Sequence, residues 1–153
     1  MEIREAGRGD VASITYCVEE AFADYIPLIH KKPGPMLMDY GEAVEKDAVF
    51  VAADGNDIAG VAVIADDRGG FMWLDILAVF KKYQGRGIGK KLIEYAEKFI
   101  IENGKEECRI YTNVKFETTI AIYRHLGYSE YKRAFEDGYD RLFLKKKLVW
   151  VGT

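Results

Sequence analysis

A glycine-rich stretch with five cationic side chains decides the fold of this chain. Residues 77–91 read Leu77-Ala78-Val79-Phe80-Lys81-Lys82-Tyr83-Gln84-Gly85-Arg86-Gly87-Ile88-Gly89-Lys90-Lys91. The sequence predicts a strand that ends at Val79 and, from Ile88 onward, apolar residues at helical spacing. Glycines between them let backbone N–H groups approach an anion, and a helix N-terminus carries about half a positive charge. This stretch is therefore suited to binding phosphate groups.

Two common phosphate-binding motifs do not fit these spacings. The dinucleotide-binding fingerprint needs glycines at its first, third and sixth positions, but the sixth residue from Gly85 is Lys90. The P-loop needs four residues between its glycines and then Lys-Ser/Thr. Here Gly85 and Gly89 enclose three residues, and Lys91 stands where the magnesium-binding hydroxyl would be. The spacing thus argues against both a Rossmann domain and a P-loop enzyme.

The rest of the chain predicts short strands and helices in the order β, α, α, β, β, β, α, β, α, β, β. We expect strands at 2–5, 48–53, 58–65, 71–79 and 108–113, two more around the turn Glu136-Asp137-Gly138, and helices at 11–22, 38–46, 88–102 and 118–126. Asp10 is the expected N-cap of the first helix, and the three prolines within 27–35 predict one irregular segment. The fold class is α/β (α+β): a mixed, largely antiparallel sheet with helices on both faces.

Composition limits the functional classes. A length of 153 residues and a mass of 17.4 kDa predict a single domain over 1–153. The net charge of −3 gives no general drive toward nucleic acid, and no apolar run approaches the roughly 18 residues of a membrane span. Cys17 and Cys108 are too few for a disulfide framework or a closed zinc site, so we expect two reduced thiols. These features predict a cytoplasmic protein with no metal, no membrane association and no nucleic-acid partner.

Two segments together carry a resemblance to a known family. The pattern Gln/Arg-x-x-Gly-x-Gly/Ala after a strand is matched at Gln84, Gly87 and Gly89, and 122–128, Ile-Tyr-Arg-His-Leu-Gly-Tyr, is similar to a family segment Leu-Tyr-x-x-x-Gly-Phe. With the element order, the chain resembles the GCN5-related N-acetyltransferase (GNAT) family over nearly its whole length. One departure is Phe116, which stands where many members have an asparagine that contacts the cofactor; Asn113 is the expected substitute.

The resemblance implies an acetyl-CoA-dependent N-acetyltransferase that moves an acetyl group to a primary amine of a small molecule or peptide by direct attack on the thioester. It implies that acetyl-CoA is held by Leu77, Ala78, Val79, Gln84, Gly85, Arg86, Gly87, Ile88, Gly89, Lys90, Asn113 and Tyr123. Tyr123 is the implied hydrogen-bond donor or acid for the leaving sulfur. Asp75 is the first choice for the base, because strand alternation places it on the face of Leu77 and Val79, and Glu20 is the alternative.

The amine acceptor is less well defined. The resemblance implies that it enters between the first two helices and the last hairpin. The five cations in 81–91 leave a charge of −8 for the remainder, which favours a cationic acceptor. An alternative function is a non-catalytic CoA-binding regulatory or interaction module of the same fold. The sequence leaves open whether the protein is a monomer or a homodimer.

Overall fold

The computed structural model describes residues 1–66 and 69–149 as a seven-stranded mixed sheet with helices. The strands are β1 (Glu2–Glu5), β2 (Ala48–Asp54), β3 (Asp57–Asp66), β4 (Phe71–Val79), β5 (Glu107–Asn113), β6 (Ser129–Glu136) and β7 (Tyr139–Lys147). The α-helices are α1 (Val11–Phe22), α2 (Ile26–Ile29), α3 (Tyr40–Lys46), α4 (Ile88–Glu102) and α5 (Glu117–His125). The strands are hydrogen-bonded in the order β1-β2-β3-β4-β5-β7-β6, which confirms the predicted fold class.

The chain divides into two compact units. The first comprises Met1–Ala65 and Leu74–Ala96, and the second comprises Asp66–Trp73 and Glu97–Thr153. In the first unit β2 pairs antiparallel with β1 and β3. In the second unit the first residues of β4 pair in parallel with β5, and β7 pairs antiparallel with both β5 and β6. The parallel pair makes the sheet mixed rather than purely antiparallel.

The first unit has helices on both faces of its strands. Side chains of α1 and α3, among them Ile14 and Val18, form a buried core with Val61 and Val63 of β3. Complete burial of an aliphatic side chain of this size contributes about 1.5–3 kcal/mol. Gly60 faces the opposite way, where a Cβ would lie 2.8 Å from Leu92 Cδ1 of α4. A side chain at position 60 would therefore force the Leu92 side chain to shift.

Two local predictions need correction. The Asp10 side chain does not cap α1; its carboxylate instead accepts two hydrogen bonds from the Arg4 guanidinium (2.8 and 2.9 Å) and one from the Gly7 N–H (2.8 Å). The proline-rich segment is not irregular throughout, because Pro27 lies in the first turn of α2, where a proline leaves no hydrogen bond unmade. That helix ends at His30, whose φ of 61° is left-handed.

The predicted turns and strand ends agree closely with the structure. The strands at 2–5 and 71–79 have the expected bounds, and those predicted at 48–53, 58–65 and 108–113 are one residue longer at one or both ends. Asp137 and Gly138, with φ of 53° and 83°, form the tight turn of the β6–β7 hairpin. Cys17 and Cys108 are both buried and are not joined in a disulfide, as expected for reduced thiols. Burial raises the pKa of the Cys17 thiol to about 12, so it stays protonated at neutral pH.

Candidate functional site

The glycine-rich turn joins β4 to the longest helix. After Val79 the chain makes one 3₁₀ turn, Lys81–Tyr83, and α4 starts at Ile88. Between them Gly85 and Gly87 have φ of 81° and 78°, a conformation that disfavours any residue with a Cβ. A Cβ added at either glycine would meet no atom within 4 Å. These glycines are therefore required by backbone conformation rather than by packing, and both are exposed.

Side-chain hydrogen bonds hold the base of this turn in place. The Gln84 amide donates to the Val79 carbonyl (3.0 Å), which ties the loop to the end of β4. Tyr83 is buried, and its hydroxyl donates to Asp54 of β2 (3.0 Å). This hydrogen bond raises the pKa of Tyr83. The bond joins residues 29 positions apart in the chain, so sequence reasoning did not predict it.

The five cations of the turn are not equivalent. Lys81 forms an ion pair with Asp24 (2.8 Å), and this hydrogen-bonded contact raises its pKa. Lys90 is 4.0 Å from Glu94 on the exposed side of α4. Lys82 and Arg86 lie over the ring of Tyr83, at 5.2 and 5.4 Å from its centroid. The cationic patch is thus partly balanced by carboxylates, and Tyr83 organises two of its members.

Asp75 lies on β4 within electrostatic range of Tyr40, the first residue of α3, and of Asp47, which follows its last residue. Along this strand Asp75, Leu77 and Val79 are half-buried and alternate with buried neighbours, as the expected periodicity requires. Burial raises the pKa values of Tyr40 and Asp47, and the charge of Asp75 raises both further. The Tyr40 hydroxyl itself donates to the Pro35 carbonyl (2.7 Å). Asp75 therefore lies in a partly desolvated group of acidic side chains within the first unit.

The alternative base has different surroundings. Glu20 is half-buried on α1, and its negative charge contributes to the raised pKa of Lys81. It therefore lies within electrostatic range of the glycine-rich turn.

In the second unit Tyr123 is held among other side chains. It is buried on α5, and its ring lies 5.9 Å from that of Tyr128 in an edge contact. The Tyr128 hydroxyl donates to Glu97 (2.8 Å), which also accepts from Lys146 (3.1 Å to each oxygen). Burial raises the pKa of Tyr128. The partly buried Tyr128–Glu97–Lys146 contacts hold the ring against which Tyr123 packs.

Asn113 shapes the connection from β5 to α5. Its side-chain oxygen accepts from the Lys115 N–H (2.9 Å), and its carbonyl accepts from the Phe116 N–H (3.0 Å). Phe116 is buried at the start of α5. The side-chain oxygen of Asn113 thus stabilises the turn, and its NH₂ group is the part able to donate to a ligand.

The structure therefore groups the expected residues unit by unit. The first unit brings together the strand end at 77–79, the turn at 84–90 and Asp75 farther back on the same strand. The second unit places Asn113 and Tyr123 on either side of the β5–α5 connection. In the described part of the chain no three His, Cys, Asp or Glu side chains are grouped so that they could hold a metal ion. None of its helices is long and apolar enough to cross a membrane.

A family model confirms the class of protein that this arrangement suggests. The model of the acetyltransferase (GNAT) domain matches residues 45–130, a range that includes both the glycine-rich turn and Tyr123. The chain belongs to this family.

Individual relatives extend the likeness. The chain is 31% identical over 90 residues to N-alpha-acetyltransferase 30 of Schizosaccharomyces pombe, a match that covers 56% of this chain and 60% of that protein. Its fold is similar to that of the ribosomal-protein-S18-alanine N-acetyltransferase of Escherichia coli (TM-score 0.78, 18% identity, 99% of this chain and 96% of that one). It is also similar to the PaiA N-acetyltransferase of Thermoplasma acidophilum in complex with coenzyme A (TM-score 0.74, 19% identity, 95% and 98%).

Proposed function

We propose that this chain transfers the acetyl group of acetyl-CoA to the N-terminal amine of a peptide or protein. The observation that carries the proposal is the open turn with left-handed Gly85 and Gly87 at the start of α4. Backbone N–H groups there suit a pyrophosphate, because a Cβ would hinder its approach. The N-terminal acceptor is supported by the relative that acts as an N-alpha-acetyltransferase. Two solved structures that cover nearly the whole chain support a single acetyltransferase domain over 1–153.

Most of the proposed acetyl-CoA contacts come from the backbone. Leu77, Ala78 and Val79 would contact the pantetheine arm, and the N–H of Val79 is the proposed donor to the thioester carbonyl oxygen. The pyrophosphate would bind the N–H groups of 85–90, with Arg86 and Lys90 supplying positive charge. Asn113 would add a donor through its NH₂ group. Ala78 is itself buried, so a backbone contact is the one available to it.

An N-terminal amine is easier to deprotonate than a lysine side chain, so a weak base such as a carboxylate is enough. An α-amine of pKa about 7.7–8.0 is about 10–20% neutral near pH 7, so its deprotonation costs about 1 kcal/mol. A lysine side chain of pKa about 10.4 is only about 0.04% neutral, and its deprotonation costs about 4 to 5 kcal/mol. We propose Asp75 as the residue that accepts the proton, directly or through water, with Glu20 as the second choice.

Tyr123 is proposed to donate a hydrogen bond to the departing sulfur. A phenol of pKa about 10 keeps its proton at neutral pH, but complete transfer to a thiolate of pKa about 8.5 is uphill by about 2 kcal/mol. A hydrogen bond that strengthens as charge develops on sulfur avoids this cost. Its buried setting against Tyr128 fixes the ring before substrate binds.

The test is thiol release from acetyl-CoA with a panel of peptides, polyamines, aminoglycosides and free amino acids. We expect release with peptides, and mass spectrometry of the product should place the acetyl group on the α-amine rather than on a lysine. Acetylation confined to small amines would disprove the peptide acceptor. Tight acetyl-CoA binding without thiol release for any amine would instead favour the non-catalytic module, for which the replacement of an asparagine by Phe116 is the supporting feature.

A further inference from the structure

One face of the second unit carries aromatic and cationic side chains in contact. In the strand register Trp73 lies beside Arg109, Arg109 is opposite Lys145, and Tyr111 is opposite Phe143, so these side chains share a face. Tyr131 lies where the register of β6 shifts, and its ring is 6.2 Å from that of Phe143. We refer to Trp73, Arg109, Tyr111, Tyr131, Phe143 and Lys145 as the aromatic–cationic face.

The rings of this face form a continuous cluster. Trp73 lies 5.8 Å from Tyr111 and 6.1 Å from Phe143, and Tyr111 lies 5.8 Å from Phe143. These separations are within the range of favourable edge and tilted ring contacts. Phe143 is buried at the centre, whereas Tyr131 is 36% exposed and Trp73 is half-buried. The rings therefore form a packed apolar cluster that is partly accessible to solvent.

The helices of the second unit lie on the other face. Lys146, next to Lys145 and so facing the opposite way, contacts Glu97 of α4. Glu130 of β6, opposite the buried Leu144, forms an ion pair with Arg124 of α5. At the edge of the sheet, Tyr131 and Lys132 line a cavity together with Glu117 and Ile120 of α5, so the face is open there to a groove beside that helix.

The cations differ in how they are balanced. Arg109 lies 3.8 Å from the Phe71 ring centroid and pairs with Glu107 at 2.5 Å. Lys132 lies over Phe143 and Lys145 over Tyr131, each 5.0 Å from the ring centroid. Among the residues that the structure describes, neither lysine has a carboxylate partner. These two ammonium groups are therefore available to an anionic ligand.

We propose that the aromatic–cationic face, with Lys132, binds the part of the acceptor polypeptide that follows its reactive N-terminus and selects acidic segments. The proposal rests on the proposed peptide acetylation. Charge complementarity is the main argument for this proposal, because Lys132 and Lys145 would attract carboxylates of the acceptor. The aromatic rings would pack against the acceptor polypeptide between those carboxylates. The charge of −8 outside the glycine-rich turn predicts a cationic acceptor. The aromatic–cationic face predicts instead that the residues that follow the reactive N-terminus are acidic.

An acidic peptide fits this face better than a nucleic acid does. Binding to a polyanionic backbone uses many lysines and arginines along a groove. Here Arg109 is paired with Glu107, and Arg141, over the Tyr111 ring, lies 3.4 Å from Asp137. Two lysines without a carboxylate partner can bind a few carboxylates of a peptide, but they are too few to bind the successive phosphates of a nucleic acid.

The experiment compares peptides that share their first residues and continue with a run of aspartates, serines or lysines. We expect kcat/KM for the acidic peptide to exceed that for the serine peptide by about tenfold and the preference to fall with added salt. The double variant Lys132→Glu and Lys145→Glu should reverse the order of acidic and basic peptides. The matched control Lys46→Glu and Lys98→Glu changes the net charge equally, uses exposed helix lysines, and should leave the order unchanged.

Several results would overturn the proposal. The proposal is wrong if the wild type has equal kcat/KM for acidic and basic peptides. It is also wrong if the Lys132/Lys145 double variant still prefers the acidic peptide. Tighter binding of a single-stranded oligonucleotide than of the acidic peptide assigns the face to nucleic acid, and a dimer that this variant dissociates assigns it to self-association. Calorimetry with peptides already acetylated at the N-terminus tests the face without turnover. If no peptide is acetylated but the acidic acetylated peptide binds at Lys132 and Lys145, the proposed function fails while the charge preference of the face stands.

Discussion

The glycine-rich turn of the first unit and the aromatic–cationic face of the second are built in different ways. In the turn the proposed ligand-binding groups are backbone N–H groups of an exposed segment in which Gly85 and Gly87 have positive φ. On the aromatic–cationic face the proposed binding groups are side chains, brought together from four strands by their register. The first kind of site depends on which torsions the chain can adopt, and the second on the chemical identity of each side chain.

This difference separates the expected effects of substitution. A methyl group added at a glycine of the turn changes the backbone and therefore the affinity for acetyl-CoA. A single atom removed from a side chain in the second unit leaves the backbone intact and changes chemistry or selectivity. Glycine variants of the turn should therefore mainly change the affinity for acetyl-CoA, whereas side-chain variants at Tyr123 and on the aromatic–cationic face should mainly change turnover or selectivity.

The largest expected effect is that of Tyr123→Phe, which removes one hydroxyl group in the second unit. We expect turnover to fall by about 100-fold with acetyl-CoA affinity changed by less than about twofold, because the hydrogen bond acts on the developing thiolate. Steady-state thiol release and calorimetry with acetyl-CoA measure the two quantities. Unchanged turnover would show that Tyr123 only packs in the core.

The matched control for this variant is Tyr128→Phe, on the ring 5.9 Å away. Removal of its hydroxyl leaves Glu97 without that donor (2.8 Å). We expect a loss of about 1–3 kcal/mol in the free energy of unfolding and turnover within a few-fold of wild type. An equal drop in turnover for both variants would assign the effect to packing.

The next largest effect is on acetyl-CoA affinity, and it is tested by alanine substitution at two glycines with similar φ, one in the turn and one outside it. Gly87→Ala and Gly55→Ala each place a methyl group on a left-handed residue, at φ of 78° and 63°, with no atom within 4 Å in either case. Each should lose about 1–2 kcal/mol of stability. Only Gly87→Ala should weaken acetyl-CoA binding, by about tenfold, as the backbone relaxes away from the phosphate-binding conformation. Equal affinity for both variants would show that the turn conformation is not needed.

The same contrast explains how much could be predicted from the sequence. The turn and the strand at 71–79 were predicted correctly, because glycine torsions and apolar alternation are local properties. The Tyr83–Asp54 hydrogen bond and the aromatic–cationic face were not predicted, because both depend on which strands pair and in what register. Asp10 shows the limit even at short range. It has the residue type of an N-cap, but the Arg4 guanidinium of β1 competes for its carboxylate.

That Asp10 contact provides a pH-dependent prediction. Hydrogen bonds from Arg4 lower the pKa of Asp10 to about 2, below its ordinary value of 3.8. A carboxylate with a lowered pKa in the folded state stabilises the protein above its unfolded pKa, and this stability is lost as the pH falls through the folded value. Because Arg4 is 38% exposed, solvent screens the pair, and we expect Asp10→Asn to cost about 1 kcal/mol at neutral pH. Denaturant unfolding should show the gap closing between about pH 4 and about pH 2; a constant gap would mean that the charge is not the cause.

The smallest effect is expected from a side chain of the turn. Arg86 is exposed over the Tyr83 ring at 5.4 Å, so its charge acts on phosphate through solvent. Arg86→Glu should weaken acetyl-CoA binding by about threefold at low ionic strength, and this difference should shrink at about 0.5 M salt, where the screening length is a few ångströms. The control Arg8→Glu alters another exposed arginine of the first unit, which pairs with Glu45 at 2.6 Å, and should leave affinity unchanged. A loss larger than that of Gly87→Ala, or one insensitive to salt, would mean that side chains rather than the backbone hold the phosphates, and the two sites would then be built alike.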